Sequence, residues 1–237
     1  MSFRDFCPNF LIPAVVAAAC LAASSAFAEA PMHVDDAGTL DKGAMKVEGV
    51  LSKDAKARGG ELLFGFSPAE NLELEVAVAR TRDGSASPAT LMRGVGFGAK
   101  WVPYQNDTGW SLGARFDVGR TRVTDYENAE KFTEREYAVT GLASYRLKND
   151  QVLHLNLGAL RTQAQGESDT LGTWGVGYEF SLAAKLQMTA EIYGQEKSRP
   201  DKAIGLRYEI IDGLKVSGAV GRGNARSFGQ VGVAWEF

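Results

Sequence analysis

The residues best suited to acid–base chemistry are few. His33 and His154 are the two histidines of the chain, and histidine is the side chain whose ordinary pKa lies nearest neutrality. His154 stands two positions before Asn156, and Ser144 precedes it on a neighbouring stretch. A serine beside a histidine supplies the nucleophile and base of a hydrolase, but it also needs an orienting third group and an oxyanion hole. No Gly-x-Ser-x-Gly elbow surrounds Ser144, and Ser144, His154 and Asn156 all fall on the polar register of their strands, away from a lipid substrate. His154 reads as a polar, inward-facing histidine. Both cysteines, Cys7 and Cys20, lie near the N-terminus, so no Cys/His metal spacing exists. Asp35-Asp36 alone is too common a pair to define a metal site. Gly94-Val95-Gly96-Phe97-Gly98 sits inside a strand with no helix after it, which excludes a phosphate cradle. The sequence therefore points to no enzyme: no catalytic, cofactor-binding or metal-binding residues, and no cofactor.

The first element is a leader. An apolar run from Phe10 to Ala28 follows Arg4 and ends in Ala26-Phe27-Ala28, the small-x-small pattern of a signal-peptidase site. A membrane anchor would need a longer apolar core and a following basic cluster, and a lipoprotein site at Cys20 would need a larger aliphatic residue than Ala17 before it. The expected organisation is a signal peptide over 1–28, a periplasmic N-terminal segment over 29–43 and one domain over 44–237. The net charge of −3 is small and both signs are dispersed, which argues against nucleic acid as a partner.

After the leader the apolar period is two. Leu72, Leu74, Val76 and Val78 alternate with Glu73, Glu75, Ala77 and Ala79. Trp110, Leu112, Ala114, Phe116 and Val118 alternate with Ser111, Gly113, Arg115, Asp117 and Gly119. Val231, Val233, Trp235 and Phe237 alternate with Gly232, Ala234 and Glu236. The pattern yields about twelve strands, starting near residues 44, 60, 72, 91, 109, 136, 151, 171, 185, 202, 214 and 227. Compact connections such as Pro68–Asn71, Pro103–Thr108 and Asp212-Gly213 alternate with polar ones expected to be longer, among them Asp83–Thr90, Arg122–Arg135 and Gln195–Asp201. Short turns on one side and long loops on the other are the habit of outer-membrane barrels. The fold expected is thus all-β: a transmembrane antiparallel up-and-down barrel.

A soluble barrel would have the same period with its apolar face inward, so the facing needs separate evidence. Aromatic residues collect at the short-turn strand ends in apolar register: Phe66, Trp101, Trp110, Tyr145, Phe180, Trp235 and Phe237. Such rings favour a membrane boundary. The polar register carries both signs of charge, giving the expected lumen lining: Lys46, Glu48, Glu73, Glu75, Lys100, Arg115, Asp117, Arg146, His154, Glu179, Glu191, Arg207, Glu209 and Lys215. Arg93, Arg120, Arg161, Glu61 and Glu236 are counted with them. The terminal Phe237 resembles the last residue of outer-membrane barrel proteins, which implies the barrel-assembly machinery and outer-membrane lipid as partners.

Pro31-Met32-His33-Val34-Asp35-Asp36-Ala37-Gly38-Thr39-Leu40, followed by Lys42-Gly43 and a strand bearing Glu48, resembles the start of the MetA-pathway phenol-degradation, or transporter-like, family of outer-membrane proteins. The resemblance implies passage of small hydrophobic or aromatic solutes. Physically, Asp35, Asp36, Gly38 and Thr39 form a turn-prone stretch, expected either to tuck against the periplasmic mouth or to plug the barrel in part. The function implied is a monomeric, narrow channel for a small-molecule solute in the bacterial outer membrane. The alternative is a non-conducting structural or surface-interaction barrel. Arg122–Arg135, with Tyr126 and Phe132, is the candidate for an external lid or ligand contact.

Overall fold

Alternation over the whole chain leaves one solution in which every backbone group is paired without an exposed edge, a closed cylinder. The structure, a computed structural model, describes residues 29–237; the expected leader with Cys7 and Cys20 lies outside the described residues. Twelve strands follow one another: β1 (Met45–Asp54), β2 (Ala57–Ala69), β3 (Leu72–Asp83), β4 (Thr90–Tyr104), β5 (Gly109–Asp125) and β6 (Glu130–Arg146). They continue with β7 (Val152–Ala164), β8 (Glu167–Ala183), β9 (Leu186–Gln195), β10 (Asp201–Ile211), β11 (Leu214–Gly223) and β12 (Arg226–Glu236). Each pairs antiparallel with the next, and β1 closes on β12 to complete the barrel. The C-terminal residue takes part in the seam: Met45 N donates to the Phe237 carbonyl at 2.8 Å and Phe237 N to the Met45 carbonyl at 2.9 Å.

Most of the connections expected to be long are short, with 84–89 and 196–200 the longer ones at that end. β5 and β6 run on to a turn at residues 126–129, and β7 and β8 meet across Gln165 and Gly166. The polar stretch 122–135 is therefore a projecting hairpin rather than a lid. Its Phe132 packs inward against Met92 and Val123, while Tyr126 is exposed. Apolar alternation stops where the strands leave hydrocarbon, but backbone pairing does not need apolar side chains and continues through Thr, Arg and Glu.

The outward register is apolar from Phe64, Val76 and Phe97 around to Leu157, Leu206 and Val233, with Leu157 74% exposed. A continuous apolar wall of this extent is a hydrocarbon-facing surface. Trp101, Trp110, Tyr145, Trp235 and Phe237 all point outward, as do Phe66 and Phe180, at the short-turn ends. The interior inverts the usual core: the largest side chains under 2% exposed include Glu73, Glu75 and Glu134.

Candidate functional site

Strand alternation delivers the polar register to the lumen, so the question becomes what neutralises so many enclosed charges. Lys46 from β1 lies 2.7 Å from Glu73 and 2.6 Å from Glu75, both on β3. Glu75 also pairs with Arg115 of β5, which holds Asp117 at 2.8 Å. Lys100 on β4 has no carboxylate of the wall this close. Its ammonium pairs with Asp35 at 2.9 Å and Asp36 at 3.0 Å, and Asp35 also takes Arg115 at 3.0 Å. The N-terminal segment thus completes the network.

That segment is folded into the barrel as a loop whose two ends lie at the short-turn mouth. It enters at Gly43, whose N–H donates to Ser67 O. Leu40 N donates to Glu73 at 3.2 Å, Ala37 N to Ser144 Oγ at 2.7 Å and Asp35 N to Asn156 Oδ1 at 2.7 Å. Asn156 answers with its amide to the Asp35 carbonyl at 2.8 Å, a two-way grip on one residue's backbone. Near the apex, one oxygen of Glu191 accepts the N–H groups of His33 and Val34 at 2.8 and 2.9 Å. The His33 ring lies 4.6 Å from the Tyr193 ring and edge-on to Phe228. The chain then returns: Gln230 donates to the Pro31 carbonyl, and Ala30 N donates to Glu48 at 2.9 Å. Arg207 donates to the carbonyls of Ala30 and Glu29, and Lys215 pairs with the Glu29 carboxylate at 3.0 Å.

Shape supports the same docking. A methyl group on Gly177 would have plug atoms as its nearest neighbours, Met32 Cε and Val34 Cβ and Cγ1, the latter two at 3.1 and 3.2 Å. One on Gly175 would lie 2.8 Å from Val34, and one on Gly232 would lie 2.9 Å from Ala30. These glycines make room for polypeptide, which explains why so many fall on the inward register. Burial with Arg226 nearby pushes the His33 imidazole down to about 4, so it is neutral when docked. Burial opposes ionisation of Asp36 and Glu29, but the Lys100 ammonium for the first, and Arg207 and Lys215 for the second, hold both carboxyls below their ordinary values.

The plug divides the lumen. On the long-turn side lies a cavity of about 450 Å³ lined by Ala77, Ala79, Met92, Thr121, Ala138 and Leu160 above His33 and Asp35. A neighbouring cavity of about 240 Å³ shares His33, Glu61, Tyr193 and Arg226 with it. At the short-turn end a third, also about 240 Å³, lies among Gln105, Ser111, Arg146 and His154. No residue lines both the first and the third.

The inward residues of the sequence pattern fall into place as follows. Lys46, Glu48, Glu73, Glu75, Lys100, Arg115, His154, Glu191 and Arg207 are buried, and Asp117, Glu179, Glu209 and Lys215 are half-buried. Arg146 is exposed at the rim of the short-turn cavity. Arg93, Arg120 and Arg161, counted with the lumen charges, instead share the outward register with Val95, Val118 and Leu157 and are exposed; strict two-residue periodicity requires this. Of the two placements open for residues 29–43, at the periplasmic mouth or within the barrel, the second fits Ala30, Met32, Val34, Asp35 and Ala37, which are buried among lumen side chains. Ser144 Oγ and His154 Nδ1 lie 2.8 Å apart. The hydroxyl is capped by the Ala37 N–H and Asn156 is spent on Asp35, so this trio holds the plug.

A closed twelve-strand barrel with an apolar outer wall and a charged, occupied lumen has the fold of bacterial outer-membrane proteins. Within that class the chain belongs to the family described as uncharacterised conserved protein UCP029691, whose model matches residues 15–230. The fold is similar to the KdgM porin in complex with disordered oligogalacturonate, at TM-score 0.65 and 13% identity over 81% of this chain and 99% of that one. It is also similar to the COG4313 outer membrane channel from Pseudomonas putida F1, at 0.63 and 10% over 85% and 98%. The translocator domain of the autotransporter NalP from Neisseria meningitidis aligns at 0.55 and 14% over 84% and 90%. No curated protein sequence matches the chain.

Proposed function

We propose that the chain is a narrow outer-membrane channel for small solutes, held shut at rest by its own residues 29–40. The observation that carries this is the plug itself. It docks on hydrogen bonds and ion pairs from most of the strands, yet it is covalently tied to the wall at one end, so it can leave without unpairing the barrel. Segments joined by few covalent and apolar ties open at lower free energy than the sheet they rest on. The cavity on the long-turn side, walled by Ala77, Ala79, Met92 and Leu160 with Thr hydroxyls and charges of both signs from Glu61, Asp117, Arg115 and Arg226, suits a small, partly apolar solute. The resemblance of the Asp35–Thr39 segment to the MetA-pathway family adds hydrophobic or aromatic compounds as the class to try first. One chain closes the barrel, so a monomer is sufficient to form the channel.

The density of buried ion pairs on the plug supports a second reading, a permanently closed structural barrel. Gly177→Leu separates the two, because the first atom of the new side chain already meets Met32 and Val34 of the plug as its nearest neighbours. In a planar bilayer the parent protein should give rare, brief current steps. The variant, if still heat-modifiable on gels, should stay open about ten times longer or more. Silence from a variant shown to be folded would favour the structural reading.

A further inference from the structure

The outward register of β2 to β6 carries no Asp or Glu, but it carries seven arginines near the long-turn end. Strand pairing sets them side by side. Arg58 lies opposite Arg82, Arg80 opposite Arg93, Arg93 opposite Arg122, and Arg120 opposite Arg135. Like charges directly opposite one another destabilise a sheet, and all seven are exposed with no ion pair among the described residues. Four such pairs in a row, with no carboxylate to relieve them, call for an external anion.

Height and direction identify it. Arg93 is eight residues from Trp101 on β4, Arg58 eight from Phe66 on β2, Arg120 ten from Trp110 on β5 and Arg135 ten from Tyr145 on β6. At strand tilts of about 35–45° those separations span roughly 20–28 Å, the height of the apolar band of such a barrel. Between the two levels the same register holds Leu62, Phe64, Val95, Phe97, Leu112, Phe116 and Val139, all exposed. The arginines therefore sit on the wall at the far edge of the hydrocarbon and face sideways, where only lipid headgroups can reach them. A guanidinium binds phosphate through two parallel hydrogen bonds.

We propose that this arginine belt binds the phosphate groups of anionic glycolipid in the leaflet at the long-turn end, and so fixes which leaflet that end occupies. The inference rests on the membrane reading of the barrel. Purified protein in zwitterionic detergent–phospholipid micelles would be titrated with lipid A, which carries two phosphates, with its fully dephosphorylated form, and with inorganic phosphate. Binding is followed by retained lipid and by the temperature of the heat-modifiable transition. Intact protein should retain lipid A and be stabilised by it, with neither control substituting. The exposed triple variant Arg80→Gln, Arg93→Gln, Arg122→Gln should bind about a hundredfold more weakly, a factor of about five per charge removed. The corresponding triple lysine variant should keep most of the binding. Equal retention of the dephosphorylated lipid, the same effect from inorganic phosphate, or indifference to the glutamine variant would each overturn the proposal. Failure of the membrane reading itself would look different, as a chain that stays soluble without detergent.

Discussion

Removing residues 29–40 should turn a nearly silent barrel into one that conducts continuously, with current an order of magnitude or more above the intact protein. The wall does not depend on the plug: every strand pairs with two neighbours, including β1 with β12 and the Met45–Phe237 closure. The lumen charges do depend on it. Lys100 and Arg115 lose Asp35, Arg207 loses two backbone carbonyls, and Glu191 loses two N–H donors. In a dry cavity those losses would be severe, but the vacated space admits water, which solvates them. The heat-modifiable form should therefore persist with a lowered transition temperature while conductance appears. A folded, truncated barrel as silent as its parent would mean that the wall's own ion pairs, Lys46 with Glu73 and Glu75 above all, close the lumen unaided.

Asp35→Ala should have the largest effect of any single substitution in the plug. The carboxylate is buried and takes Lys100 with one oxygen and Arg115 with the other. Removing one partner of a buried ion pair typically costs about 3–5 kcal/mol. Arg115 keeps Glu75 and Asp117, and Lys100 keeps Asp36, so the lower figure applies. About 3 kcal/mol is roughly a hundredfold in the docked-to-released ratio. Open probability in bilayers should rise accordingly, with heat-modifiability unchanged. Asp36→Ala should do less, because that side chain is half-exposed and touches only Lys100. Pairing Asp35→Leu with Lys100→Met should recover much of the loss, since both charges then leave together.

The barrel was legible because the rule that makes it is local. Alternation of Leu72, Leu74, Val76 and Val78 with Glu73 and Glu75 fixes which side chain faces lipid, and the hydrocarbon limits strand length. Where water replaced lipid the signal failed: the start of β6 at Glu130 and of β8 at Glu167 lies in polar sequence that still pairs. The plug was only half legible. Asp35-Asp36 reads as turn-forming and leaves the segment either at the mouth or in the barrel, but its ligands Lys100, Arg115 and Asn156 come from strands far along the chain, and no local pattern encodes that meeting. A usable signal did exist in the inward glycines Gly175, Gly177, Gly205 and Gly232. Small residues at lumen positions of three different strands imply that something other than side chains fills the space. The misplaced arginines, Arg93, Arg120 and Arg161, show the opposite failing, since counting parity from their apolar neighbours would have turned them outward.

A gate of this kind requires residues 30–38 to lie inside the cylinder, and thiol accessibility tests that directly. The chain from Glu29 onward contains no cysteine, so with Cys7 and Cys20 replaced by serine, Val34→Cys introduces a single thiol on the plug and Ser85→Cys a single exposed reference between β3 and β4. In the folded barrel, a maleimide too bulky for the lumen should label position 34 at least a hundredfold more slowly than position 85, and adding Asp35→Ala should remove most of that protection. Equal labelling of the two positions in a folded barrel would show the segment to be outside, and the gating proposal would then have no gate.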